Sequence, residues 1–252
     1  LQVQEAFSGR RFGLASAATT PLRARKDADE LAAMKQAGEI TDAAYEAATA
    51  EPIEGRTELE LARRLEEAMF AEGAEAIAFE TLVASGPNSA LPHHRAGTRR
   101  IEAGDVVILD YGCRVDGYCS DMTRTVVCGR PAPDVQRAYD AVRAAHHAAQ
   151  DVARAGVRAE TVDAAARRSL TNAGFGEAFV HRTGHGVGLD VHESPYIVAG
   201  NGEELKVGMT FSIEPGAYLR GKFGVRLEDV VVLGGDGATP MTESPRELRC
   251  IN

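Results

Sequence analysis

A carboxylate that closes an apolar strand has to be neutralised, because an unpaired charge is costly to bury. Asp110 closes such a run, Val106-Val107-Ile108-Leu109, within the stretch VVILDYGCRVDGYCSDMTRTVVC. Two apolar runs joined at Arg114-Val115-Asp116-Gly117 predict a β-hairpin. Folded between Val115 and Asp116, that hairpin sets Asp110 opposite Asp121. Like charges on opposed cross-strand residues destabilise a sheet, so a cation is expected between them. The same device recurs in MTFSIEPGAYLRGKFGVRLEDVVV, where folding about Gly221 sets Glu214 opposite Glu228. If the hairpins are neighbours, four carboxylates converge, and divalent metal answers their repulsion. Solvated pairs, or pairs neutralised by Arg, fit less well because both lie within β-branched and apolar runs.

The chain of 252 residues can form one large domain or two small ones, and either buries a substantial core. A net charge of −9 without a Lys/Arg-rich block argues against a nucleic-acid partner. No apolar run approaches the roughly 18 residues of a membrane span, so no membrane partner is expected. Cys113, Cys119, Cys128 and Cys250 show no CxxC spacing. Small apolar packing in a reducing, cytoplasmic setting is the expectation.

Residues 1–26 read as a linker or the remnant of a missing N-terminal domain, and 27–252 as the functional domain. Asp27 with Glu30, and Thr57 with Glu60, are capping boxes that open helices to about Ala50 and to Gly73. Ile77–Ala84 has strand character, and a turn-rich segment leads to His93 and His94. Asp134 is the expected N-cap of a long helix to Ala155, and a shorter helix covers about Glu160 to Ala173. The order helix, helix, loop with His, acidic hairpin thus occurs twice. Two related αβ halves would bring both hairpins into one central sheet, with helices outside.

HRTGHGVGLDVHE places His181, His185 and His192 among Gly184, Gly186 and Gly188. The glycines argue against a helix and for close backbone approach. One His with four carboxylates is a mainly hard-oxygen donor set, suited to Mn²⁺ or Co²⁺ more than Zn²⁺. The donors exceed one octahedral ion's needs, so two ions are expected. Such a pair can generate hydroxide at neutral pH and polarise a carbonyl, which is hydrolase chemistry.

ASGPN with LPH, LDYG with Asp121, HRTGHGVGLDVHE, and IEPGAY with RLEDV together resemble the proline-specific branch of the pita-bread metallopeptidase family. That branch holds Xaa-Pro dipeptidase (prolidase) and aminopeptidase P. The likeness covers about residues 20–250. It implies an α+β pita-bread fold with a curved, mainly antiparallel sheet, a homodimer, and short peptides with proline second as substrates. It also implies metal ligands Asp110, Asp121, His185, Glu214 and Glu228. Asp121 and Glu228 would bridge the ions, Asp110 would serve one, and His185 with Glu214 the other. Glu214 would shuttle a proton, and His192 would polarise the scissile carbonyl. His93 would contact substrate near the scissile bond, and His181 would line the pocket beyond it. Arg226 would steady the carboxylates, with Tyr218 nearby, and face the substrate. His94 reads as a solvated neighbour of His93, and His146 and His147 as surface residues.

Xaa-Pro dipeptidase is the leading reading. Aminopeptidase P, methionine aminopeptidase, a creatinase-type hydrolase and a non-catalytic peptide-binding module are the alternatives. The last two are disfavoured because all five ligand positions carry ligating side chains.

Overall fold

The computed structural model describes residues 7, 9–10 and 12–251. Within the segment expected to be a linker, Ser16–Ala24 forms helix α1; residues 1–6, 8 and 11 of it lie outside the described residues. The two capping boxes are in place. Asp27 accepts from the amides of Asp29 and Glu30, and the Glu30 carboxylate accepts from Asp27 N, opening α2 (Ala28–Thr49). Thr57 and Glu60 do the same for α3 (Glu58–Ala71). The strand expected over 77–84 is interrupted, with β1 at Ala76–Ile77 and β2 at Leu82–Ser85. Ala78 N turns aside to Gly112 O, and a 3₁₀ turn, Gly86–Ala90, follows β2.

Next come β3 (Val106–Tyr111), β4 (Cys113–Val115), β5 (Tyr118–Cys119) and β6 (Met122–Cys128). Helix α4 (Pro133–Val152) starts one residue before Asp134, since Pro133 occupies the first turn, where its missing N–H costs nothing. It also stops three residues short of Ala155. Helix α5 is Ala159–Asn172. The second half ends in β7 (Gly184–Gly186), β8 (Glu193–Ile197), β9 (Thr210–Ile213), β10 (Gly216–Leu219), β11 (Phe223–Arg226), β12 (Glu228–Leu233), β13 (Ala238–Pro240) and β14 (Arg249–Ile251).

The central sheet runs β2-β3-β6-β12-β9-β7-β8, with β13 and β14 added on β12 and β6. Its pairings are antiparallel except β14 with β6. Helices α2 and α3 bury Ile40, Tyr45, Leu61 and Leu65 against Val107, Leu109 and Val126. Helices α4 and α5 bury Val142, Ala149, Val162 and Leu170 against Phe211, Val225 and Val231. The expected α+β architecture, two αβ halves sharing one curved sheet, is therefore what the chain forms. Among the described residues, no helix is long and apolar enough to cross a membrane.

Strands β6 and β12 join the halves, pairing Glu228 with Thr123 and Asp229 with Met122. Behind that seam lies a buried ionic group. Asp229 takes Arg124 Nη2 at 2.7 Å, Arg246 Nε at 2.6 Å and the hydroxyl of Thr242 at 2.8 Å. His146 Nε2 lies 3.1 Å from Asp229, fully buried, which corrects the surface placement expected for it; His147 is exposed. Arg124 holds the Asp229 carboxyl well below its ordinary range, against the opposing effect of burial. Removing one partner of a buried ion pair strands the others. Asp229→Ala is expected to lose about 3–5 kcal/mol of stability, measured by urea unfolding.

Candidate metal centre

The two hairpins aim their acids by register. Asp110 pairs with Thr123 and Tyr111 with Met122, and the same register continues through Val115 and Tyr118. The turn is therefore the two residues Asp116-Gly117, with φ of 49° and 80°, as tight hairpins require. The expected fold between Val115 and Asp116 is thus displaced, and Asp121 is not the direct partner of Asp110. Asp121 lies two residues before Thr123 and shares its face, diagonal to Asp110. Gly112 admits that approach: a Cβ there would fall 2.0 Å from Ser120 O. The second hairpin does fold about Gly221, with Gly216 opposite Arg226 and Ile213 opposite Asp229. That register sets Glu214 across from Glu228.

The four acids and His185 face one cavity of about 740 Å³, together with His93, His181, His192 and Arg226. Ligating atoms of Asp121, His185 and Glu228 all lie within 4.8 Å of one another. His185 Nε2 stands 3.3 Å from Glu214 Oε1 and 3.7 Å from Asp121 Oδ2. The His192 ring meets that of His185 edge-on, with centroids 4.2 Å apart. Asp110 Oδ2 takes Arg226 Nη2 at 2.5 Å, while its Oδ1 is buried with no hydrogen-bond partner.

Arg226, expected to steady the carboxylates with Tyr218 nearby, bonds Asp110, Thr123 Oγ1 at 3.0 Å and Tyr218 Oη at 2.9 Å. Glu228 is held by the hydroxyl of Thr123, which donates at 2.6 Å. Leu227 separates β11 from β12, so Arg226 and Glu228 do not share one continuous strand. Tyr218 Oη also lies 2.9 Å from His181 Nε2.

Burial, reinforced by the neighbouring acids, pushes Asp121 and Glu228 well above ordinary carboxyl values. Burial also raises Asp110 against the pull of Arg226, and lifts Glu214 to about 7. Burial lowers His185 to about 3, assisted by His192, so its imidazole is neutral at physiological pH. Arg226 is bonded to one of these acids, one carboxylate oxygen is orphaned, and the histidine is unprotonated. That donor set fits divalent cations, which bind carboxylate oxygen and neutral imidazole.

Three anchoring residues escaped the sequence reading. Glu58, at the start of α3, is fully buried and accepts from Ser85 N, Ser85 Oγ, Asn88 Nδ2 and Gly97 N. Its other partner is His94 Nε2 at 2.7 Å, so His94 is an anchor of the His93 loop and not a solvated neighbour. Asp163 on α5 accepts from the amide and hydroxyl of Thr183, between His181 and His185. Thr123 is the third. Glu58 carried only the signal of an acid in the first turn of a capped helix, which does not name its partners; the other two carried none.

Residues 32–234 match the family model of metallopeptidase family M24. Over 228 residues the chain is 46% identical to the probable dipeptidase PepE of Mycobacterium tuberculosis, covering 90% of this chain and 60% of that protein. A prolidase structure from Thermococcus sibiricus is similar with a TM-score of 0.95 at 47% identity, covering 99% of this chain and 68% of that one. The X-Pro aminopeptidase of Thermotoga maritima gives a TM-score of 0.96 at 40% identity, with 99% and 70% covered. The chain spans about 60% of the length of the curated PepE dipeptidases it matches.

A carboxyl raised on folding stabilises the protein below its unfolded value, and that contribution is lost as pH rises through the folded one. For Glu214 the window runs from 4.5 to about 7. Metal-free Glu214→Gln is therefore expected to exceed the wild type in stability at pH 8, by roughly 1–3 kcal/mol, and the gap should close below pH 4.5. Thermal unfolding in chelator across that range checks it; Mn²⁺ should reverse the order at pH 8.

Proposed function

We propose, for a chain that belongs to metallopeptidase family M24, that this cavity hydrolyses the peptide bond preceding proline in short peptides, as an Xaa-Pro dipeptidase. The observation that carries the reading is the convergence of four acids, Asp121 and Glu228 buried and Asp110 and Glu214 nearly so, and one neutral histidine on a single cavity. Relatives named dipeptidase PepE and Xaa-Pro dipeptidase support the substrate class. The likeness to an X-Pro aminopeptidase keeps a second reading open, action on longer Xaa-Pro peptides.

In this reading Asp110, Asp121, His185, Glu214 and Glu228 would hold two divalent ions, with Asp121 and Glu228 serving both. Bound there, such ions, Mn²⁺ ahead of Co²⁺ and Zn²⁺, would supply an activated water at neutral pH and a Lewis acid for the scissile carbonyl. Glu214 would take a proton from the attacking water and return it to the leaving nitrogen. His192 donates a hydrogen bond to the carbonyl oxygen as negative charge develops there. His93 contacts the substrate beside the scissile bond. His181, fixed by Tyr218, lines the pocket for the residue that follows. Arg226 braces Asp110 and Tyr218 at the floor of that pocket. A proline nitrogen carries no N–H and its ring fixes φ, so this pocket has to accept a ring without an amide donor. A homodimer in a reducing, cytoplasmic setting completes the proposal; the four cysteines are unpaired.

Hydrolysis of Ala-Pro, Ala-Pro-Ala and Met-Ala by protein of measured metal content is the test. Ala-Pro should be cut fastest. Preference for Ala-Pro-Ala would favour the second reading, and preference for Met-Ala would overturn both. Asp121→Ala and Glu228→Ala are expected to abolish activity and the thermal stabilisation by Mn²⁺. His192→Ala should lower kcat by roughly 10²–10³-fold and retain the metal; loss of metal would make His192 a ligand.

A further inference from the structure

We infer that Lys26 is a positioning residue for His192, acting through Glu193. The inference rests on the role given to His192 above. Glu193 follows His192 directly, and both its carboxylate oxygens are taken by cations from the segment that precedes α2. Lys26 Nζ donates to Oε1 at 2.6 Å, and Arg23 Nη2 donates to Oε2 at 2.6 Å. Arg23 also donates to Asp190 at 2.7 Å. The two pairs differ in burial. The Lys26 and Glu193 side chains are 1% and 9% exposed, whereas Asp190 is 63% exposed. An exposed pair does little, so the hold on the loop lies in the buried Lys26–Glu193 contact.

The other end of the contact is fixed. Lys26 N donates to Gly208 O, and Arg25 bridges Met209, both at the start of β9. The loop is shaped to receive the ammonium: a Cβ on Gly188 would fall 2.6 Å from Glu193 Oε1 and 2.9 Å from Lys26 Nζ. Gly188 O also accepts from Cys119 N, which holds the loop from the first hairpin. His192 lies between these restraints, with its ring against His185. Lys26 touches neither the cavity nor a ligand. Its effect on chemistry therefore passes through the geometry of His192, where a shift of about 1 Å can cost 10²-fold in rate.

The test uses the metal-loaded full chain and a double-mutant cycle with Ala-Pro as substrate. Lys26→Met and Glu193→Gln are each expected to lower kcat by about 10–100-fold, with KM and metal content unchanged. In a His192→Ala background the same changes should cost nothing further. Amide hydrogen exchange in Lys26→Met should quicken over 188–193 and stay as in the wild type over the ligand strands. A general structural role would instead move metal content or KM, and its loss would multiply with that of His192→Ala; either result overturns the inference. So does unchanged exchange over 188–193, or a wild-type kcat in both variants. Should Lys26→Met not fold, Glu193→Gln, which keeps the volume and removes the charge, reads the same contact. Full kcat in His192→Ala would overturn the role of His192 itself. The exchange measurement would then still decide whether Lys26 holds the loop.

Discussion

Repulsion among buried carboxylates is the constraint on which the rest of this structure depends. Asp110, Asp121, Glu214 and Glu228 face one cavity with Arg226 beside them. Sheet geometry makes the convergence possible. Two hairpins, each carrying acids near its strand ends, meet along β6 and β12, and the alternation of strand side chains turns their acids toward the same space. One hydroxyl completes the link: Thr123 accepts from Arg226, donates to Glu228 and pairs in register with Asp110. Asp229, next in sequence to Glu228, points the opposite way, into the Arg124 group. Charge therefore lies on both faces of β12 at consecutive positions, one facing the cavity and the other anchoring the strand.

The loops that carry the histidines show a second regularity. Each is tied by a side chain from the helical shell. Glu58 on α3 gathers the segment around His93 and His94, Asp163 on α5 holds Thr183, and Lys26 before α2 holds Glu193. Loops with free backbone groups would need water to satisfy them; here side-chain acceptors and donors do so inside the protein. The rigidity that a positioned imidazole requires comes from elements that never touch the cavity.

Much of this was legible in the chain itself. Capping boxes are local, and Asp27 with Glu30 and Thr57 with Glu60 opened helices at the expected places. Gly221 marked the second turn correctly because the apolar runs around it are symmetric and the glycine takes φ of +75°. The first turn was displaced by one residue. Asp116 and Gly117 both adopt positive φ, and the Asp-Gly pair should have been centred in the turn instead of placed at its end. His146 was misplaced although its position four residues after Val142 and three before Ala149 sets it on the buried face of α4. The partners of Glu58, Lys26 and Asp163 were invisible for a different reason. Each contact spans at least 20 residues, up to 167 for Lys26 with Glu193, and no local pattern encodes it.

The seam between β6 and β12 pairs only two residues on each side, and one of those pairs is Glu228 with Thr123. The joint of the two halves therefore lies against the acids that face the cavity. The same seam is tied again by Arg124 Nη1 donating to Glu228 O and by Thr125 exchanging hydrogen bonds with the Arg226 backbone, so the join between the halves and the wall of the cavity are built from the same few residues.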